Sequence, residues 1–289
     1  MPTDLYLTRA REMKDALVAF RRDIHRHPEV AFKETRTAAK GSEWLSALGL
    51  EVQGGIAGTT GVIATLDTGK PGPTVLLRAD MDALPITEAT GAEYASTNDA
   101  MHACGHDAHT TCLLGAARLL SERKGSLKGR VKFLLQPAEE VPPGGAKVMI
   151  EQGQVLDGVD AALALHVTNQ IDVGVLGFRA GAMLAYSDRF SIEILGVGGH
   201  AARPHLTVDA VAVAVQVYNA LQYVVSRGNN PLHPLVVTIG SLQAGTVANV
   251  IPATARMLGT ARSLTPETAE GLPEKLERVV AGICAANGA

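Results

Sequence analysis

Four short apolar runs, each separated from the next by a stretch with helical spacing or glycine punctuation, constrain this 289-residue chain most. The runs cover residues 61–67, 75–80, 131–136 and 161–167. Ahead of them, residues 5–26 repeat Leu7, Met13, Leu17, Phe20 and Ile24 at roughly helical spacing. His27-Pro28 ends that helix, because the residue before proline avoids helical dihedrals. A second helix is expected over 34–48, stopped by Gly49. A third runs from Asp107, read as its cap, to Arg123, with Cys112, Leu113, Ala116 and Leu120 on its apolar face. Another is expected near 145–153. Strands alternating with helices predict an α/β domain with a mostly parallel sheet and helices on both faces.

Three of the apolar runs end in polar residues of metal-binding type. Met101-His102-Ala103-Cys104-Gly105-His106-Asp107 follows the run 75–80, Gln136-Pro137-Ala138-Glu139-Glu140 closes 131–136, and His166 closes the apolar Ala161-Ala162-Leu163-Ala164-Leu165. In open α/β sheets function gathers beyond the carboxyl ends of the strands. A thiol, imidazoles and carboxylates there are the ingredients of a transition-metal site. Cys104 and His106 stand two apart, so in an extended segment both face one side. The helix N-terminus at Asp107 favours a thiolate over a thiol. Adjacent Glu139 and Glu140 diverge in an extended stretch, leaving one to ligate and the other to act as a base. Taken singly, each residue has a plainer reading: Cys104 as a small buried hydrophobe, His166 as a strand-end core residue, the glutamates as a solvated pair. Their coincidence at three strand ends favours the metal. Cys112 and Cys284 read as helix-packing residues.

Beyond about residue 177 the pattern changes. Phe190, Ile192 and Ile194 alternate with Ser191, Glu193 and Leu195, a strand with one buried face. A long apolar helix over 208–226, strands over 234–242 and 250–262, and a helix over 265–286 follow. The order β-α-β-β-α predicts a small α+β domain of split-βαβ, ferredoxin-like type, still wanting one strand after its last helix. The glycines at 196–199 mimic a dinucleotide loop, but the strand before them alternates where a central Rossmann strand would be continuously apolar. A net charge of −3 with no basic stripe, and 4% aromatic residues, exclude nucleic acid as an expected partner. No run approaches the ~18 apolar residues needed to span a bilayer. Residues 1–14 hold no apolar signal core. Three cysteines without framework spacing fit a reducing, cytoplasmic setting.

Several segments together resemble the amidohydrolase branch of the aminoacylase/carboxypeptidase metallopeptidases. They are Arg21-Arg22-Asp23-Ile24-His25-Arg26-His27-Pro28-Glu29 with Glu34-Thr35, Arg78-Ala79-Asp80-Met81-Asp82-Ala83-Leu84-Pro85, and the two motifs around Cys104 and Glu139. That branch includes hippurate hydrolase, indole-acetyl-amino-acid hydrolase and N-acyl-amino-acid amidohydrolase. The resemblance implies a catalytic domain at 1–176 and a lid and dimerisation domain at 177–289. It implies a dinuclear site for zinc, manganese, cobalt or nickel, with Cys104, His106, Glu140 and His166 as matching ligands. Glu139 matches the general base, and Asp82 resembles a carboxylate that orients a ligand. His200, in Gly198-Gly199-His200-Ala201-Ala202-Arg203, matches a residue that reaches a partner subunit's site and stabilises an oxyanion. Asn249 and Arg262 match positions that hold a substrate carboxylate. The implied reaction is hydrolysis of N-acyl amino acids by a homodimer.

Family members continue further, through a last strand and a final histidine ligand, so the chain reads as C-terminally truncated, with one metal ion in place of two as a possible result. A non-catalytic remnant that keeps partial metal or ligand binding is the alternative to an enzyme.

Overall fold

A computed structural model describes residues 3–289. The chain divides into two compact units, Met1–Asp172 and Val173–Ala289. In the first, helices α1 (Thr3–Glu12), α2 (Lys14–Arg26) and α3 (Thr35–Ala47) precede strands β1 (Glu51–Gly54), β2 (Val62–Asp67) and β3 (Thr74–Asp80). Helix α4 (His106–Glu122), strand β4 (Arg130–Gln136), helix α5 (Gly145–Glu151) and strand β5 (Ala161–Ala164) follow. The helix expected over 5–26 therefore breaks at Met13. The break is shallow, since Leu17 N–H still donates to the Met13 carbonyl and Met13 N–H to that of Arg9.

The sheet order is β1-β2-β4-β3-β5. β4, β3 and β5 are parallel, with Leu77 beside Phe133 and Leu163. β2 is antiparallel to both its neighbours, so it alone opposes the other four strands. Period-two alternation divides the strand residues between two covered faces. Ala79, Phe133 and Leu135 pack with Leu45 of α3 and Leu113, Leu114 and Ala117 of α4. Leu76 and Leu134 turn the other way, onto Met149 of α5. The buried stripe of α4 thus runs through Leu113, Leu114 and Ala117, and Cys112, expected on it, is exposed. α3 lies so close to the sheet that a Cβ on Gly41 would come within 2.3 Å of Leu135 Cδ1.

In the second unit, β6 (Tyr186–Leu195), β7 (Gly199–His200), α6 (Ala210–Ser226), β8 (Leu235–Ala244), β9 (Val250–Ile251), β10 (Thr254–Ser263) and α7 (Pro266–Asn287) follow in order. β6, β10 and β8 form an antiparallel sheet in that order, the first, third and second strands of a split βαβ. Ile194, Val237, Ala255 and Met257 face Val213, Val217 and Leu221 of α6 and Leu272 and Leu276 of α7. The strand expected over 250–262 is two strands, because Pro252 cannot donate to a ladder. The helix expected from 208 begins at Ala210, where Asp209 accepts from the backbone of Val211 and Ala212. Asp209→Ala should lower stability by about 1 kcal/mol, the usual worth of such a cap, read as a lower urea midpoint at unchanged slope. No helix among the described residues is long and apolar enough to cross a membrane.

Candidate metal centre

Strands β4, β3 and β5 are adjacent and parallel, so their carboxyl ends share one edge of the sheet. β3 ends at Asp80, with Asp82 just beyond. β4 ends at Gln136 and leads into Glu139 and Glu140. His166 follows β5, which stops at Ala164, short of the strand end expected at 167. His106 opens α4 at the same edge.

The donor atoms of Cys104, His106 and His166 lie within 4.8 Å of one another, and so do those of His106, Glu139 and Glu140. Cys104 Sγ is 3.4 Å from His166 Nε2. His166 Nδ1 donates to the Val167 carbonyl at 2.6 Å, which directs Nε2 at the thiol. Two expectations about local geometry are corrected. Cys104 and His106 come together through a turn, not an extended segment: Gly105, at φ +92°, is the residue before α4. A Cβ there would meet Val167 Cγ2 at 2.4 Å, so glycine is required twice over. Glu139 and Glu140 do not diverge, because Ala138 adopts a left-handed φ of +49° and bends the chain. Both carboxylates therefore approach His106.

Asp107, expected to cap α4, makes no cap bond. Its Oδ2 accepts instead from Arg21 Nε and pairs with His25 Nδ1, both at 2.9 Å. This ties α2 to the start of α4.

The electrostatics call for a cation. Asp80, Asp82, Glu139 and Glu140 crowd around His106, and Arg78 on Asp80 is the only Lys or Arg paired with any of them among the described residues. His106 is 1% exposed. Its Nδ1 faces Asp82 Oδ1 at 3.2 Å, and its buried Nε2 has no hydrogen-bond partner. With the Nδ1 proton given to Asp82, Nε2 presents a bare lone pair. Burial lowers the proton affinity of His106, but Asp82 and the surrounding carboxylates outweigh it and raise the affinity of the ring for a cation, a proton or a metal ion alike. Cys104 reverses the thiolate expectation. Burial and the charge of Glu140 push its thiol up to about 12, overriding the helix N-terminus. A cation supplies the compensation that the thiolate needs. The donor set and the orphaned Nε2 fit divalent transition metals.

Comparison with known proteins agrees with this geometry. The sequence profile of Peptidase family M20/M25/M40 matches residues 76–283. An N-acyl-L-amino acid amidohydrolase of Geobacillus stearothermophilus is 44% identical over 96% of this chain and 75% of its own length. The chain belongs to peptidase family M20/M25/M40. An N-acetylcysteine deacetylase of Bacillus subtilis is 44% identical over 94% of the chain and 72% of its own length. A solved structure described as a dinuclear metal binding peptidase of the M20 family, also from Bacillus subtilis, superposes with a TM-score of 0.81. It is 39% identical and covers 96% of this chain and 72% of that one. This M20 protein is accordingly a metal-dependent amidohydrolase.

Sequence reasoning passed over the residues that brace the M20 site. His109, three residues after His106 on α4, donates from Nδ1 to Asp80 Oδ1 at 2.7 Å and accepts Val167 N–H at Nε2 at 2.9 Å. Both ring nitrogens are engaged, which orients the ring and pins the segment after β5 beside His166. Asp80 Oδ2 accepts from Arg78. Burial works against the Asp80 charge, but His109 and Arg78 bring its carboxyl down to about 2. The i, i+3 spacing of His106 and His109 was the available signal. Asp82 accepts Glu140 N–H at 3.0 Å besides facing His106.

The remaining candidates lie in the second unit of the M20 chain. His200, in β7, pairs in register with Val250 of β9. Its Nδ1 accepts Ala202 N–H at 3.1 Å. The Asn249 carbonyl accepts Ala201 N–H at 3.1 Å, so His200 and Asn249 share one corner. Arg262 is on β10 and donates to Thr260 Oγ1 and the Ala261 carbonyl. It has no carboxylate partner among the described residues.

Proposed function

We propose that this chain hydrolyses the amide bond of N-acyl amino acids, hippurate among them, releasing a carboxylic acid and a free amino acid. The observation that carries the reading is that two donor groups, Cys104–His106–His166 and His106–Glu139–Glu140, share His106, whose buried Nε2 has no hydrogen-bond partner. Cys104, His106, Glu140 and His166 would hold two divalent ions, zinc, manganese, cobalt or nickel, which supply Lewis-acid polarisation of the amide carbonyl when bound. Asp82 keeps the His106 proton on Nδ1 and Nε2 bare. Glu139 is the general base. Partial burial of its carboxyl and the adjacent Glu140 charge raise its proton affinity. It takes a proton from the attacking water and passes it to the amine nitrogen as the C–N bond breaks.

In the same proposal the second unit serves as lid and homodimer contact. His200 reaches the site of the partner subunit and donates to the oxyanion developing there, and Asn249 and Arg262 hold the substrate carboxylate, for which a guanidinium fork is suited. A free thiol among the ligands is in keeping with a reducing, cytoplasmic setting. The test combines elemental analysis of the purified chain with release of amino acid from N-acetyl and N-benzoyl substrates. Substrates with a free carboxylate should be cleaved faster than their carboxamides. Bound metal without cleavage of any of them would replace the enzyme with a ligand-binding remnant.

A further inference from the structure

We propose that Glu34 is a positioning residue for the Glu139–Glu140 pair, its buried carboxylate holding the left-handed turn at Ala138 from which both side chains project. The inference rests on the roles proposed for those two glutamates. Ala138 is fully buried and carries a φ of +49°, a conformation that a Cβ disfavours. It is retained because both its peptide groups are tied. Ala138 N–H donates to Glu34 Oε1 at 2.8 Å, and the Ala138 carbonyl accepts Gly145 N–H at 2.9 Å. The turn is packed closely enough that a Cβ on Gly145 would lie 2.0 Å from the Pro137 carbonyl oxygen.

Glu34 is itself 0% exposed and makes no ion pair among the described residues. Three donors take the place of a cation. Oε1 also accepts Phe32 N–H, from a second non-glycine residue at positive φ, and Oε2 accepts the Thr60 hydroxyl. Burial of an unpaired carboxylate is costly. Capping does not explain its presence, although Glu34 sits at the N-terminus of α3. The first turn of α3 is satisfied by Glu29, which accepts from Arg36 N–H and Thr37 N–H. The Glu34 side chain instead reaches the turn beyond β4. Asp82 pins the far side of that turn through Glu140 N–H, so the two carboxylates bracket Glu139.

The test uses the full chain as Glu34→Ala and Glu34→Gln, each with and without Ala138→Gly, and reads zinc affinity by chelator competition. Glu34→Ala should bind zinc about 10–100-fold more weakly, the usual effect of losing a group that orients a ligand. Glu34→Gln keeps an acceptor for both N–H groups while Thr60 reverses its hydroxyl, so it should stay near wild type. Ala138→Gly should restore part of the loss in Glu34→Ala, because glycine enters the left-handed region without a Cβ penalty. A role confined to general stability would lower the urea midpoint yet leave the zinc affinity of the folded protein unchanged. That result, or a loss that Ala138→Gly leaves untouched, overturns the proposal. Glu34→Asp, which keeps the charge and shortens its reach, gives the same readout if Glu34→Ala does not fold. Absence of amide turnover in the wild type would remove the hydrolysis reading and leave this test intact. If the wild type bound no zinc, amide exchange at Ala138 decides: it should quicken about tenfold or more in Glu34→Ala and stay slow in Glu34→Gln.

Discussion

Glu139→Gln is expected to lower kcat by about 10²–10⁴-fold, the typical worth of a positioned general base, while the chain keeps its metal. Glutamine preserves the shape of the side chain but cannot accept a proton from water. The backbone that sets its direction is untouched, since the Glu140 N–H bond to Asp82 and the left-handed Ala138 do not depend on the Glu139 carboxylate. Glu140→Gln removes a ligand instead and should cost metal together with activity. Elemental analysis and initial rates on the two variants separate these outcomes. Turnover retained in Glu139→Gln would remove it as the base. Equal metal loss in both would mean that the adjacent glutamates ligate as a pair, as their common approach to His106 permits.

The sheet and its polar edge were legible because short apolar runs and their terminators are local signals. β3 and β4 appear within a residue or two of their expected bounds, and the three strand ends that carry Asp80, Glu140 and His166 lie side by side. Bends were less legible. Nothing in Pro137-Ala138-Glu139 announces a left-handed alanine, because the cause lies a hundred residues earlier in Glu34. Asp107 has the composition of a helix cap, yet it is claimed by His25 and Arg21 from α2. The thiolate expected from the helix N-terminus failed for the same reason. Burial of Cys104 by the packed chain, and after it the charges of Glu140, Glu139 and Asp80 brought in from other strands, hold the proton on the thiol. In each case a contact distant in sequence overrode a local preference that was itself correctly read.

Asp82→Asn should weaken metal binding by about 10–100-fold through the tautomer of His106, with little change in side-chain volume. Asp82 offers acceptors in two directions: Oδ1 faces His106 Nδ1, and Oδ2 faces Glu140 N–H. Asparagine has one carbonyl oxygen and must turn its NH2 group toward one of these donors. The backbone N–H cannot move its proton, so the oxygen stays with Glu140 and the NH2 faces the ring. His106 meets it by accepting at Nδ1, which moves the ring proton to Nε2. That nitrogen is the buried, unpartnered atom aimed at the site, and once protonated it is no longer a metal donor. Chelator competition measures the loss, and ¹⁵N shifts of the His106 ring in the metal-free protein report the tautomer directly. Weak binding with the proton still on Nδ1 would place the effect of Asp82 in charge alone. Wild-type affinity in Asp82→Asn would mean that Asp82 does not orient His106. Asp82→Ala separates the terms further, since it removes the acceptor without offering a competing donor. If the tautomer dominates, it should bind metal more tightly than Asp82→Asn, although it leaves Glu140 N–H unsatisfied and unfolds at lower urea.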